Sequence, residues 1–384
     1  MKDFFRSIRD GVVSLQLTVA LLVFGILLVF AATLDQTHLG IWGIQQKWFR
    51  SLVVMQEFRG LVLPIFPGGY LLGGLLLVNL IAAHIYRFKF TTRKAGIFLT
   101  HLGFILLLVG ELLSGLWQED FTLRLNVGET KSYAESFRFN ELAVIDTSPS
   151  KFDEVVAIPE EALEQHRSVQ HPKLPFRVVT KAYYPNSLLQ NRAEDAPASL
   201  ATAGLGLRVT AAPQPLTYRP DESNLPSAYV ELVAPDAPIG TFLVSTGLVA
   251  SQEFNYAGRT WKLCLRPKRI YRPFALTLLQ FTHDRYIGTE IPKNFASRLR
   301  LTAASGQEKR EVLISMNNPL RYDGLTFYQA GFENNDRTSI LQVVRNPSWQ
   351  IPYIACALMG AGLLGQFGLH LLGFIAKRRA PALA

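Results

Sequence analysis

SLQLTVALLVFGILLVFAATLDQ, residues 14–36, decides the class of this protein. From Val12 to Thr33 no residue is charged and nearly all are apolar. That run exceeds the roughly 7–15 residues of a signal-peptide core. It also meets the ~20 residues needed to cross a ~30 Å hydrocarbon layer. Lys2, Arg6 and Arg9 precede it and Ala31 and Ala32 fall near its end, but its length makes it an uncleaved anchor. Three further runs follow, at Gly69–Tyr86, Gly96–Trp117 and Ile351–Ala376, with Glu111 the one acidic or basic residue in them. The whole chain of 384 residues is 49% hydrophobic and 18% charged, against about 25% charged in soluble domains. An ordinary cytosolic enzyme does not fit.

The basic residues give the spans a direction. Arg87, Lys89, Arg93 and Lys94 fill the short connection between the second and third runs, and Lys377, Arg378 and Arg379 follow the fourth. With the amino-terminal cluster they all fall on one side, which the positive-inside rule makes cytoplasmic. Residues 34–68 and about 118–350 are then expected outside. From Glu119 to Arg345 there are 26 Lys+Arg against 25 Asp+Glu, so nearly all of the net charge of +9 lies near the membrane. The basic balance is a topology signal, and nucleic acid is not an expected partner.

The expected organisation is a membrane region over 1–117 with helices at about 12–33, 69–86 and 96–117. A β-rich extracytoplasmic domain follows over 118–350, then a fourth span with a basic tail over 351–384. Within the outer domain, FTLRLNV (121–127), FRVVTKAYY (176–184), LGLRVTA (205–211), AYVELVA (228–234) and EVLISM (311–316) read as strands. Turn-forming clusters such as Asn317-Asn318-Pro319 separate them. Many short strands with regular turn signals predict a sandwich or open barrel. A helical turn is expected at Pro159–Gln165, and a long loop or a seam between two β lobes at about 190–226.

No GxSxG, HExxH, Walker or dinucleotide motif occurs in this domain. His166, His171 and His283 have no metal-ligand spacing. Cys264 is the one cysteine there, since Cys356 falls in the fourth span, so no disulfide is expected. Arg259, Lys262, Arg266, Lys268, Arg269 and Arg272 form an acid-free basic stretch. It reads either as a solvated strand face or as a docking surface for an anionic group.

The order of segments resembles the ResB (or CcsB) family of System II cytochrome c biogenesis proteins. The resemblance rests on YIGTEIPKNFASRLRL (286–301), ISMNNPLRYDGLTFYQAGF (314–332) and LQVVRNPSWQIPYIACALMGAGLL (341–364), with HLGFILLLVGELLSG (101–115) and residues 14–36. It implies a bacterial inner-membrane subunit of a cytochrome c haem lyase (synthetase), not an autonomous enzyme. The implied partner is a ResC/CcsA-type protein with a tryptophan-rich WWD segment, and together they would carry haem b outward to CxxCH motifs of apocytochromes c. This chain has five tryptophans and no such cluster, so it resembles the B-type subunit alone. Thioether formation needs reduced haem, free thiols and a fixed porphyrin orientation. Imidazole ligands and an apolar slot can supply the last of these.

Ionisable groups inside spans are costly and mark candidate sites. His101 lies seven residues after Lys94 and His370 seven before Lys377, each ~10 Å inside the cytoplasmic margin at about 1.5 Å per residue. His101 is read as an axial haem ligand, or else as a histidine bonded to a neighbouring helix. The second ligand comes from the partner subunit, or from His370. His84, three residues from Arg87, belongs with the haem-binding candidates but lies near the interface, where a histidine needs no special explanation. Arg93 and Lys94 are placed to neutralise propionates. Glu111 is expected in helix packing or an interfacial hydrogen bond, and Asn79 and Gln366 are the uncharged polar residues of the spans. The alternative function is a non-catalytic anchor whose outer domain binds another extracytoplasmic protein.

Overall fold

The computed structural model describes residues 2–149, 152–193, 198–217, 223–248, 250–289, 292–303 and 308–379. The chain opens with α1 (Lys2–Val12) and α2 (Leu15–Ile44), then a π-helical turn at Gln45–Phe49. A hairpin of β1 (Val53–Phe58) and β2 (Leu61–Pro67) leads to α3 (Gly69–Tyr86) and α4 (Ala95–Trp117). Next come β3 (Glu119–Asn126), β4 (Thr130–Asp146), β5 (Glu154–Pro159), α5 (Glu160–Glu164), β6 (Ser168–Val169) and β7 (Arg177–Tyr184). β8 (Ser187–Asn191), β9 (Val209–Pro213), β10 (Ser227–Val233), β11 (Pro238–Ser245) and β12 (Gln252–Tyr256) follow. The last strands are β13 (Arg259–Arg285), β14 (Pro292–Ala303), β15 (Lys309–Ser315), β16 (Leu320–Tyr322), β17 (Leu325–Glu333) and β18 (Thr338–Arg345), before α6 (Ile351–Arg379). Two compact units result. One holds the chain up to Gln118 and from Asn346 onward; the other holds Glu119–Thr217 and Asp221–Arg345.

In the first unit α2, α3, α4 and α6 are long and apolar enough to cross a membrane. Much of their apolar surface is bare, as at Phe30, Leu364 and Phe367, which suits lipid-facing helices that satisfy their own backbone. α4 and α6 pack through glycines at seven-residue spacing. A Cβ on Gly96 would fall 2.5 Å from the Gly362 carbonyl oxygen, on Gly103 2.8 Å from that of Ala355, and on Gly110 2.8 Å from Ile351 Cγ2. Only glycine allows so close an approach of two backbones.

Two features differ from the sequence reading. The first apolar run is not one helix from residue 12: the chain breaks at Val13–Ser14, and Ser14 Oγ caps α2 by accepting from the Leu17 amide at 3.1 Å. The buried Asn79 holds that break. Its Nδ2 donates to the Val12 oxygen at 2.6 Å and its Oδ1 accepts from Thr18 at 2.6 Å. Such bonds satisfy carbonyls that lipid could not. At the other end α2 continues past Thr33 to Ile44, kinked at Gly40, whose φ of 62° suits a residue without Cβ. Residues 34–68 therefore hold helix and a hairpin turned by Arg59 and Gly60, both at positive φ.

The second unit has two cores threaded by two long strands. In the first, β11-β10-β7-β6 faces β4, β5, β12 and β13, and Val230, Leu232, Phe242, Ile158 and Trp261 fill the space between. This is a sandwich. In the second, β15-β14-β13-β4-β3-β18-β17-β16 curls around Leu125, Leu276, Leu299, Leu301 and Leu341, and β15 returns to approach β17. This is a nearly closed barrel, so both expected β architectures occur, one in each lobe. The helical turn expected at Pro159–Gln165 is α5.

The seam lies elsewhere than expected. Residues 190–226 contain part of the β8–β9 hairpin, not only loop, while 194–197 and 218–222 lie outside the described residues, as do 290 and 291 of the 286–301 segment. The lobes instead change over within β13. Trp261, Leu263 and Leu265 enter the first core; Phe274, Leu276 and Leu278 enter the second. Odd positions give way to even ones at the β13–β4 register shift between Tyr271 and Leu276, where β13 carries three residues more than β4; at the other shift, between Pro267 and Arg269, the extra residues are on β4. Each extra residue turns the strand over, and Pro267 and Pro273 cannot donate to the ladder.

Cys264 pairs with Ala143 across β13 and β4 and is a free thiol, as is Cys356. Burial pushes its thiol up, outweighing Arg266 and Arg269. Thiolate is the reactive form, so alkylation of Cys264 in the folded full-length protein is expected to be slow at neutral pH and to quicken as pH rises. Cys264→Ala should cost about 1 kcal/mol and leave the protein folded. Rapid labelling at pH 7, or complete loss of the protein, would contradict this.

Candidate functional site

The polar residues of the first unit gather where α3 turns into α4. The α3 cap at Arg87 ends the helix, residues 88–91 are non-helical, and a 3₁₀ turn at Thr92–Lys94 leads into α4. This connection sets His84 beside His101. His101 Nδ1 lies 3.2 Å from His84 Nε2, with ring centroids 4.8 Å apart and planes at 87°. His84 Nδ1 in turn lies 3.0 Å from the Leu80 carbonyl oxygen. Phe88 stacks on His84 at 5.2 Å and 22°, and Phe98 sits 5.9 Å from Phe88 and 5.6 Å from Phe90. Arg93 and Lys94 are exposed on the turn that precedes α4, and neither forms an ion pair among the described residues.

Of the sequence candidates, the fold brings His84 and His101 into contact, with Arg93 and Lys94 on the turn that leads into α4. His370 stands apart. Gly96 of α4 is level with Gln366 of α6; His101 lies five residues to one side of that level and His370 four to the other. Their axial separation is therefore about 13 Å at 1.5 Å per residue. Equal counts from the basic clusters do not give matched depth here, since α6 continues past the α3–α4 turn. His370 is exposed and its Nε2 accepts from Gln366 Nε2 at 3.0 Å.

Sequence reasoning missed the aromatic group of Phe88, Phe90 and Phe98. It counted His84 among the haem-binding candidates but read it as an interfacial residue, and the structure gives it two bonded neighbours. The His84–His101 contact has a chemical consequence: both nitrogens of His84 and the Nδ1 of His101 are committed to neighbours, and His101 Nε2 has no partner among the described residues. An imidazole nitrogen free to coordinate, held beside aromatic rings and cations, fits haem iron and propionates in type. The 3.2 Å nitrogen separation leaves no room for a metal between the two rings, so they do not form a two-histidine clamp.

A cavity of ≈ 470 Å³ sits among α2, α3 and α4, opened by Gly69, Gly73, Gly74 and Gly115. Glu111 is on its wall with Arg50 and Tyr70. Of the two roles expected for Glu111, helix packing or an interfacial hydrogen bond, no hydrogen bond is found among the described residues. In the second unit the basic stretch is largely neutralised along the sheet. Arg259 meets Asp146 at 3.0 Å, Lys262 meets Glu253 at 2.9 Å, and Arg266 meets Glu141 at 2.9 Å. Arg269 meets Glu135 at 3.0 Å and lies over the Tyr133 ring. Of the six, Lys268 and Arg272 form no ion pair among the described residues.

Residues 240–340 match the ResB-like family. The chain is 33% identical over 102 residues to Protein NrfI of Wolinella succinogenes, covering 27% of this chain and 11% of that protein. It is 36% identical over 81 residues to the cytochrome c biogenesis protein CcsB of a Picosynechococcus species, covering 21% and 17%. It is 32% identical over 124 residues to CcsB of a Synechococcus species, covering 30% and 28%. The matched stretches thus span from 11% to 28% of these relatives' own lengths. The family match runs from β11 to β18 and so takes in β11 and β12 of the sandwich lobe and β14 to β18 of the barrel lobe, with β13 shared by both. Together with four apolar helices and a large β-rich unit in the same chain, it bears out the resemblance read from the sequence: the chain is similar to ResB/CcsB-type proteins.

Proposed function

We propose that the protein is the B-type subunit of a cytochrome c synthetase in a bacterial plasma membrane, acting with a ResC/CcsA-type WWD partner. The observation that carries this reading is the His84–His101 pair within an aromatic and cationic setting, on a chain whose matched relatives are named for cytochrome c biogenesis. Haem b is the cargo, supplying the iron porphyrin that is joined to apocytochrome thiols. His101 offers its imidazole to the iron, Phe88 and Phe98 line the approach of the porphyrin, and Arg93 and Lys94 meet its propionates. The second axial ligand belongs to the partner, since His370 lies at another depth. Co-expression with a WWD protein in a host lacking its own maturation system tests this. The pair should yield haem-staining cytochrome c, and neither chain should do so alone. Maturation by the partner without this chain would refute the role.

The same reading places the amino terminus, the 87–95 connection and the carboxyl terminus in the cytoplasm, with the β domain on the other side. Its support is the clustering of basic residues at one end of the spans. Reporter fusions after residues 90 and 200 should show cytoplasmic activity only for the first. Cytoplasmic activity after residue 200 would invert the topology.

A further inference from the structure

We infer that His84 is a positioning residue. It fixes the tautomer of His101 so that Nδ1 carries the proton and Nε2 presents its lone pair. This rests on the reading of His101 as a haem ligand and adds a role for a histidine that touches no iron.

The chain of bonds has one consistent direction. A carbonyl oxygen only accepts, so His84 Nδ1, 3.0 Å from the Leu80 oxygen, carries a hydrogen. Leu80 lies one helical turn before His84, so the same helix that places the ring also supplies its acceptor. In a neutral imidazole the other nitrogen is then an acceptor. His101 Nδ1, 3.2 Å from that nitrogen, must be the donor. Two hydrogens cannot share the gap, nor can two lone pairs hold it closed. His101 Nε2 is left as the bare nitrogen, with no partner among the described residues. Phe88, stacked on His84, keeps the acceptor ring from turning away.

Metal-bound histidines commonly donate their second ring N–H to a carboxylate, a carbonyl or water, which fixes the ring and raises ligand basicity. Here a histidine occupies that place and passes the constraint on from a backbone carbonyl. No carboxylate is placed in the span, where its charge would be costly. The ligand nitrogen is therefore set before haem arrives.

Nitrogen-15 NMR of full-length, histidine-labelled protein without haem tests the relay directly. Wild-type His101 is expected to show a protonated Nδ1 and a bare Nε2. His84→Leu removes the acceptor and should release His101 to the other tautomer, whereas His84→Gln retains a carbonyl that accepts and should keep the wild-type pattern. In a titration with iron protoporphyrin IX, His84→Leu should weaken binding by roughly 10–100-fold, as removing outer partners of metal ligands does, and His84→Gln by much less. A wild-type His101 protonated at Nε2, or an unchanged tautomer in His84→Leu, would overturn the relay. Wild-type haem binding by His101→Ala would instead overturn the ligand reading on which it rests, leaving the tautomer result to stand separately.

Discussion

His101→Ala is expected to abolish cytochrome c maturation while the protein stays inserted in the membrane at normal abundance. The residue lies on the open side of a bonded histidine pair, and no second histidine is level with it other than its own positioning neighbour. The vacated volume is close to that of imidazole, so added imidazole should restore part of the activity. Haem staining of a reporter cytochrome, with immunodetection of the full-length chain, separates loss of function from loss of protein. His370→Ala should mature cytochromes near the wild-type level, since its ring is exposed and bonded only to Gln366 among the described residues. Normal maturation by His101→Ala would remove His101 from the site.

The second large effect is on stability. Arg266 and Glu141 are 9% and 5% exposed and join β13 to β4 at the edge of the sandwich core. Arg266 Nε donates to Glu141 Oε1 at 3.0 Å, while Nη2, 2.9 Å from the same oxygen, lacks hydrogen-bond geometry. Removing one partner of a buried pair leaves an uncompensated charge and costs about 3–5 kcal/mol. Glu141→Ala is therefore expected to lower the denaturant midpoint of the β domain sharply. Glu141→Leu combined with Arg266→Met should recover most of the loss, because apolar residues of similar volume often match a buried ion pair. Circular dichroism of the full-length protein at the β-strand band checks both variants. An unchanged midpoint in Glu141→Ala would show that water reaches Arg266.

These two sites differ in how far the sequence reveals them. Four apolar runs are legible because a membrane span must satisfy its backbone internally and so reads as an unbroken stretch. The strands are legible through alternation, as in Leu123 and Leu125 or Val230 and Leu232. The seam is not, since the two prolines of β13 look like turn signals when the strand in fact continues through them with shifted register. The histidine pair escapes for a related reason. Counted from the basic residues, His84 and His101 sit at different depths, three residues from Arg87 and seven from Lys94. The non-helical residues 88–91 absorb that offset and bring the rings level. The reverse error makes His370 look level with His101, because α6 extends past the turn and its basic cluster marks a different height. The ion pairs of the basic stretch were hidden too, as their acids lie on β4 and β12, far from β13 in sequence or on another strand.

The absorption spectrum of the full-length protein, purified with its partner from haem-replete membranes, tests the central claim most directly. The wild-type complex is expected to carry a Soret band, retained in His370→Ala and lost or shifted in His101→Ala. A His101→Ala complex with the wild-type spectrum would contradict the account.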